Sequence, residues 1–288
     1  VLRKMFRFLD DFMKKNYKKW LQIILLLSIV LVLTACGNVN EPISAESTNL
    51  WDRYIIYNLS QFIIWLSNLF GGSYALGIII FTILIRALLI PLTKMQLKSQ
   101  REMQALQPEL DKIKEKYPNR DRESMQLAQE EQQQLLESHG VNQFAGCLPL
   151  LIQLPVMMSL YQSISRTPEL KQGHFLWTNL GQMDPLFILP ILAAVLTFAN
   201  SYFTMKSNKN PNSQVKTMMY IMPAFILLIS LGLPSAVTLY WVVSNAITLI
   251  QTFVYNNPYK IIAEREAKLQ AEKEKQRALR KALKRVKK

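Results

Sequence analysis

Arg86 stands in the middle of an apolar run, Gly77-Ile-Ile-Ile-Phe-Thr-Ile-Leu-Ile-Arg-Ala-Leu-Leu-Ile-Pro91, and no Asp or Glu lies inside any apolar segment of the chain to pair with it. An arginine at the centre of a spanning helix costs about 2.5–3.5 kcal/mol on insertion scales, so its charge must reach water. Two routes are open. Arg86 lies about seven residues, about 10 Å along a helix, from the end of the run near Thr93, close enough for a long side chain to snorkel. Alternatively it sits in a hydrated cavity inside a helix bundle, a wet positive pocket suited to polar cargo in the membrane.

Residues for bond-making chemistry are missing around it. His139 and His174 fall in polar stretches, where neither can act as a base beside a buried nucleophile. The chain has no His-Glu-x-x-His, no Cys-x-x-Cys and no phosphate-cradling glycine loop. These gaps predict a protein that is not an enzyme, with no catalytic residues, no metal and no cofactor. A proton-driven pump is also disfavoured, since no carboxylate or histidine lies within an apolar segment. What the segments do carry is uncharged polarity: Thr82, Gln153, Ser159, Gln162, Asn200, Ser201, Ser244, Asn245 and Thr248. Each alone reads as an interhelical hydrogen bond, about 0.6 kcal/mol on average. Beside an unpaired Arg86, the set reads as the lining of a hydrated groove.

The elements that must hold these side chains are apolar helices. Residues 74–93, 144–165, 185–204, 215–232 and 235–255 are each long enough, or nearly so, to cross about 30 Å of hydrocarbon. The expected fold is all-α: a polytopic membrane protein with five transmembrane helices, an outer interfacial amphipathic helix and a cytoplasmic helical hairpin. The modest mean hydropathy of +0.09 reflects dilution by polar loops. The net charge of +14 is concentrated in a block before residue 20 and in a tail from Lys260 to Lys288. The positive-inside rule puts that tail and residues 94–143 in the cytoplasm. Residues 166–183, with only Arg166 and Lys171 as cations, then lie outside and 205–214 inside.

Ahead of the first span, residues 1–35 read as a signal peptide: a basic stretch, a short apolar core at 21–32, then Leu33-Thr-Ala-Cys-Gly37. A cysteine at the cut predicts a bacterial lipoprotein, with diacylglycerol on Cys36 as the mature N-terminus; two acyl chains suffice for stable anchoring. Translation starting at Met13 rather than Val1 would give a conventional basic region. Cys147 reads as an inert small hydrophobe. Residues 36–71 hold a polar linker and then Trp51, Tyr54, Ile55, Leu59, Phe62, Ile63, Leu66 and Phe70 at helical spacing, with Asp52, Arg53, Ser60, Gln61, Ser67 and Asn68 facing elsewhere. This predicts an amphipathic helix in the outer interface, with Gly71-Gly72 turning into the first span.

In the hairpin, Met103, Leu106, Leu110, Ile113 and Tyr117 share one face, as do Met125, Ala128 and Leu135, and Pro118-Asn119 separates the two runs. Residues 257–288 have a strong helix-forming composition that turns almost purely basic from Arg277 on. Such a run is expected either to bind phosphate, of anionic lipid or of ribosomal RNA, or to serve only as a topology anchor. Nothing points to DNA.

Gly146-Cys-Leu-Pro-Leu-Leu-Ile-Gln-Leu-Pro-Val156 with Tyr161, Leu106-Gln-Pro-Glu-Leu110 with Lys116-Tyr117, and Leu233-Pro-Ser-Ala-Val-Thr-Leu-Tyr-Trp241 together resemble motifs of the YidC/Oxa/Alb family of membrane protein insertases. The lipoprotein signal and basic tail resemble its Gram-positive form. The resemblance covers about residues 51–259 and implies a five-span insertase whose hydrophilic groove opens to the cytoplasm and to lipid. It matches Arg86 to the family's groove arginine and places Gln153 and Trp241 beside it; Asn200, Ser244 and Asn245 complete the candidate substrate groove. Implied partners are nascent membrane proteins, the ribosome, membrane lipids and a Sec translocon. The hairpin departs from many members at Gln132-Gln-Gln-Leu-Leu-Glu137 and Ser138-His-Gly140, which puts its turn in question. Competing readings are a small-solute channel and a passive ribosome receptor.

Overall fold

The computed structural model describes residues 42–119, 121–141, 148–208 and 213–286. The expected signal peptide, residues 1–35, with Cys36 and Cys147, lies outside the described residues. A π-helical turn, Asp52–Ile56, runs into α1, Tyr57–Leu69. Gly71 and Gly72 both take φ +78°, a region that L side chains avoid. There the chain bends by 112° into α2, Tyr74–Leu88. The next helix, α3, is Ile90–Lys116, with Pro91 in its first turn, where a missing N–H costs nothing. The polar hairpin helix therefore begins inside the apolar run rather than after it.

α4, Arg122–Ser138, returns antiparallel to α3 in sequence order, and its N-cap Asp121 accepts from the Ser124 N–H at 2.7 Å. There follow α5, Leu148–Arg166; a single turn, α6, Pro168–Lys171; and strands β1, His174–Phe175, and β2, Thr178–Asn179, paired antiparallel with Phe175 opposite Thr178. The last four helices are α7, Ile188–Ser207; α8, Ser213–Leu231; α9, Ser235–Tyr255; and α10, Pro258–Val286.

Among the described residues, α7 and the helix running from Ser235 are long and apolar enough to cross a membrane. The bent pair α1–α2 makes a third if it counts as one span, and Lys216–Leu231 is apolar but shorter. The architecture is thus all-α and polytopic, with two or three spans by length and composition rather than the five expected.

The described chain forms two compact units. In the first, Trp51 and Ile56 pack with Ile43 and Met158, so the π-turn is anchored on α5. Gly77 lets α2 approach α1: a Cβ there would meet Ser67 Oγ and stand 2.9 Å from the Ile63 carbonyl. The start of α9 is tied to the β-hairpin loop, with the Ser235 N–H donating to the Gln182 carbonyl at 2.7 Å and Ala236 N–H to the Leu180 carbonyl at 3.1 Å.

The second unit holds the hairpin, α7, α8, α10 and most of α9. Leu106, Leu110, Leu136 and Val141 form the hairpin core, with Met103 and Leu135 against it. Met125, expected on the inner face, is instead 61% exposed. Towards that end the helices are joined by Lys116 Nζ and Glu131 at 2.9 Å, an ionic contact in place of an apolar one. Arg101 of α3 donates to Asn256 Oδ1 and to the Tyr255 carbonyl, and Lys94 lies 4.7 Å from the Tyr255 ring centre. The hairpin is therefore tethered to the end of α9. Arg265 of α10 donates to the Ser207 carbonyl at the end of α7.

Candidate substrate groove

Arg86 sits near the end of α2, half-buried. Its Nε donates to Ser244 Oγ on α9 at 3.2 Å. None of the ion pairs among the described residues includes Arg86. A neutral hydroxyl holds one edge of the guanidinium, so the charge is oriented without being neutralised. The Nη fork is the part that grips carboxylates bidentately, and no ion pair among the described residues engages it.

Ser244 is buried, and Asn245 beside it begins a chain of amide contacts. Asn245 Nδ2 donates to the Trp241 carbonyl at 3.0 Å. Asn200 Nδ2, from α7, donates to both the Asn245 carbonyl, at 3.0 Å, and Asn245 Oδ1, at 3.1 Å. Trp241 is buried on α9 one turn before Asn245. Five of the six groove residues expected from sequence thus belong to one unit, and α9 supplies three of them: Trp241, Ser244 and Asn245. The sixth, Gln153, is half-buried on α5 in the other unit.

Other polar residues are spent within their own helices. Ser159 Oγ donates to the Pro155 carbonyl at 2.7 Å, and Thr248 Oγ1 to the Ser244 carbonyl at 2.8 Å. They satisfy backbone groups and offer little to a passing chain.

Sequence reasoning missed a second charged feature. Arg166, assigned to an outer loop, and Asp52, assigned to the polar face of an amphipathic helix, are both buried and joined bidentately at 3.0 and 2.8 Å. The available signal was one acid and one base, each at the edge of an apolar segment, in a region with few other charges.

These helices and this arginine define a class: a polytopic α-helical membrane protein with an oriented cation set in an apolar helix. The comparisons with known proteins narrow the class. A family profile described as 60Kd inner membrane protein matches residues 65–264. The chain is 50% identical over 268 residues to membrane protein insertase YidC of Enterococcus faecalis, covering 93% of this chain and 96% of that one. It is 50% identical to membrane protein insertase YidC 1 of Lactococcus lactis, covering 94% and 99%, and 45% identical to MisCA of Bacillus subtilis, covering 81% and 91%. An active YidC insertase crystal structure superposes with TM-score 0.57 at 29% identity; 71% of this chain aligns with 47% of that longer chain. The chain belongs to the YidC/Oxa/Alb family of membrane protein insertases.

Proposed function

We propose that this bacterial multi-pass membrane protein inserts client membrane proteins, and helps them fold, through a hydrophilic groove centred on Arg86. The observation that carries the groove is the Arg86–Ser244 contact: the cation is held by a hydroxyl, and no carboxylate pairs with it among the described residues. An incoming apolar segment drags a short polar, often acidic, tail, and moving that tail across bare hydrocarbon is prohibitively costly. A wet groove reaching partway into the bilayer shortens the dry path, and Arg86 attracts the carboxylates while they cross. The segment then leaves sideways into lipid, driven by burial of its apolar surface at about 25 cal/mol per Å². No covalent step and no nucleotide are needed, so the protein is not an enzyme. Asn200, Ser244, Asn245 and Trp241 form the polar strip of the groove, and Gln153 joins them on the strength of its motif. Pro155 and Pro223, inside α5 and α8, loosen those helices where they must part.

The full reading has five spans, with α1 lying in the outer interface and the hairpin and tail in the cytoplasm. The 112° bend at Gly71-Gly72 supports α1 as a separate interfacial helix. Cys36 carries the diacylglycerol anchor, the ribosome binds through the tail, and a Sec translocon is a further partner. Mass spectrometry of the mature N-terminus tests the anchor; an unmodified Cys36 still joined to Ala35 rules it out.

The groove itself is tested by complementing an insertase-depleted strain. Arg86→Ala should accumulate normally and fail to insert clients with acidic translocated tails. Arg86→Lys should retain most activity, since attraction needs charge more than the bidentate fork. Arg86→Glu should be worst. Full growth on Arg86→Ala would leave snorkelling as the account of this arginine. A channel would instead conduct solutes in reconstituted bilayers.

A further inference from the structure

Residues 185–263 contain four lysines, Lys206, Lys209, Lys216 and Lys260, and no Asp or Glu. Lys206 closes α7, with its Nζ 4.5 Å from the ring centre of Tyr259 and 5.9 Å from that of Tyr202. Lys216 stands exposed in the first turns of α8. Neither takes part in any ion pair among the described residues. Three residues beyond Lys216, and so on the same helical face, Met219 lines a pocket between α7 and α8. Its volume is about 260 Å³, with Asn200, Thr204 and Met205 on one wall and Met218, Met219 and Met222 on the other. That is smaller than the roughly 300–1,000 Å³ of sites enclosing a drug-sized ligand, and its surface is mostly apolar. Unbranched, polarisable methionines adapt to an irregular flexible chain.

We propose that this end of the α7–α8 pair is a binding site for an anionic phospholipid, with an acyl chain in the methionine pocket and the phosphate between Lys206 and Lys216. Charge complementarity selects the occupant. A neutral lipid or an apolar client segment would fill the pocket and leave both lysines without a counter-charge. Basic pockets between spanning helices on the cytoplasmic side take anionic head groups for this reason. The inner-leaflet placement rests on the topology proposed above, and Asn200 borders both this pocket and the proposed groove, whereas Lys206, Lys216 and the methionines belong to this site alone.

The test uses the full chain in neutral detergent at about 0.5 M salt, where diffuse attraction by the exposed tail is screened. Phosphatidylglycerol and phosphatidylcholine are offered in equal amounts, and bound lipid is counted by native mass spectrometry. Phosphatidylglycerol should be retained in several-fold excess. Lys216→Gln, at an exposed position, should lower its retention about fivefold, corresponding to about 1 kcal/mol per lysine. Met219→Trp, which fills the pocket, should lower retention of both lipids. Equal retention of the two lipids by the unaltered chain, or phosphatidylglycerol retention unmoved by Lys216→Gln, overturns the site. A photoreactive side chain at Met222 that captures nascent polypeptide instead of lipid also overturns it, assigning the pocket to the client path. No client is present in the binding measurement, so a failed groove and a failed lipid site are told apart.

Discussion

Arg166 holds Asp52 across 114 residues of sequence through two parallel hydrogen bonds of 3.0 and 2.8 Å, with Gln162 Oε1 accepting a third at 3.4 Å. Both partners are buried, which makes this a fixed pin between the π-turn ahead of α1 and the end of α5. Removing one charge strands the other, and breaking a buried pair costs about 3–5 kcal/mol. Arg166→Leu should therefore lower the thermal unfolding midpoint in detergent markedly. Asp52→Leu combined with Arg166→Leu should recover much of the loss, because the double variant buries no orphan charge. A double variant as unstable as Arg166→Leu alone would mean that packing, not ion pairing, is what Arg166 supplies.

Gly77 is the second structural pin of that unit. Its Cβ-less face admits Ser67 Oγ, which itself donates to the Ile63 carbonyl at 2.7 Å. Gly77→Ala should destabilise by about 1–3 kcal/mol, the usual range for overpacking. Adding Ser67→Ala should relieve only part of this, because the Ile63 carbonyl, a backbone atom, remains 2.9 Å from the new methyl group. Thermal midpoints of the single and double variants measure both effects.

The hairpin should have an acid limit and an alkaline one. Hydrogen bonds from Ser124, chiefly from its backbone N–H, hold the Asp121 carboxyl below its usual range, and the bond from Lys116 does the same for Glu131. The bond to Glu131 raises Lys116 above the ordinary lysine value. Depressed carboxyl values mean stability that is present near neutrality and lost as pH falls through the acid range. The raised lysine contributes stability that is lost only as pH climbs beyond about 10.4. Spin labels at Lys112 and Gln133 should report one sharp distance near pH 7 and a broadened one towards about pH 3. Glu131→Gln should narrow the difference between those conditions. A distance distribution unchanged across the acid range would show that the apolar core of Leu106, Leu110 and Leu136 holds the hairpin unaided.

Much of this was legible in the sequence because membranes and helices impose simple periods. Leu106, Leu110 and Ile113 are buried as their 3–4 spacing requires, and the Gly-Gly pair turns the chain where expected. Arg86 stood out because a cation in an apolar run must reach water, by snorkelling or in a hydrated groove. Two things were hidden. Partnership across long separations, as in Asp52–Arg166, leaves no local pattern, since either residue alone looks like an ordinary surface charge. Helix limits inside apolar runs were also hidden: hydropathy does not show that α2 ends at Leu88 and α3 starts at Ile90, because the break is set by Pro91 and not by polarity. Likewise the choice of Ser244 as the residue that orients Arg86 depends on which turn of α9 faces α2, which composition does not specify.

The tail offers the last prediction. α10 begins at Pro258, and its apolar residues thin out as Lys and Arg accumulate towards Lys288. Arg265 is committed to the Ser207 carbonyl, and Lys206 lies over Tyr259, so the first turns are tied down at α7. The distal basic residues are the ones left to meet polyphosphate. If they hold ribosomal RNA, removing residues 277–288 should weaken ribosome co-sedimentation while leaving Arg265 and Tyr259 in place. The affinity of the intact chain should fall steeply with salt, by a power close to the number of phosphates neutralised. Truncation should reduce insertion of co-translational clients and spare short post-translational ones, because only the former need the ribosome near the groove. Co-sedimentation at low salt that survives the truncation would assign those charges to anionic lipid, and vesicle binding by the same two chains would then carry the difference.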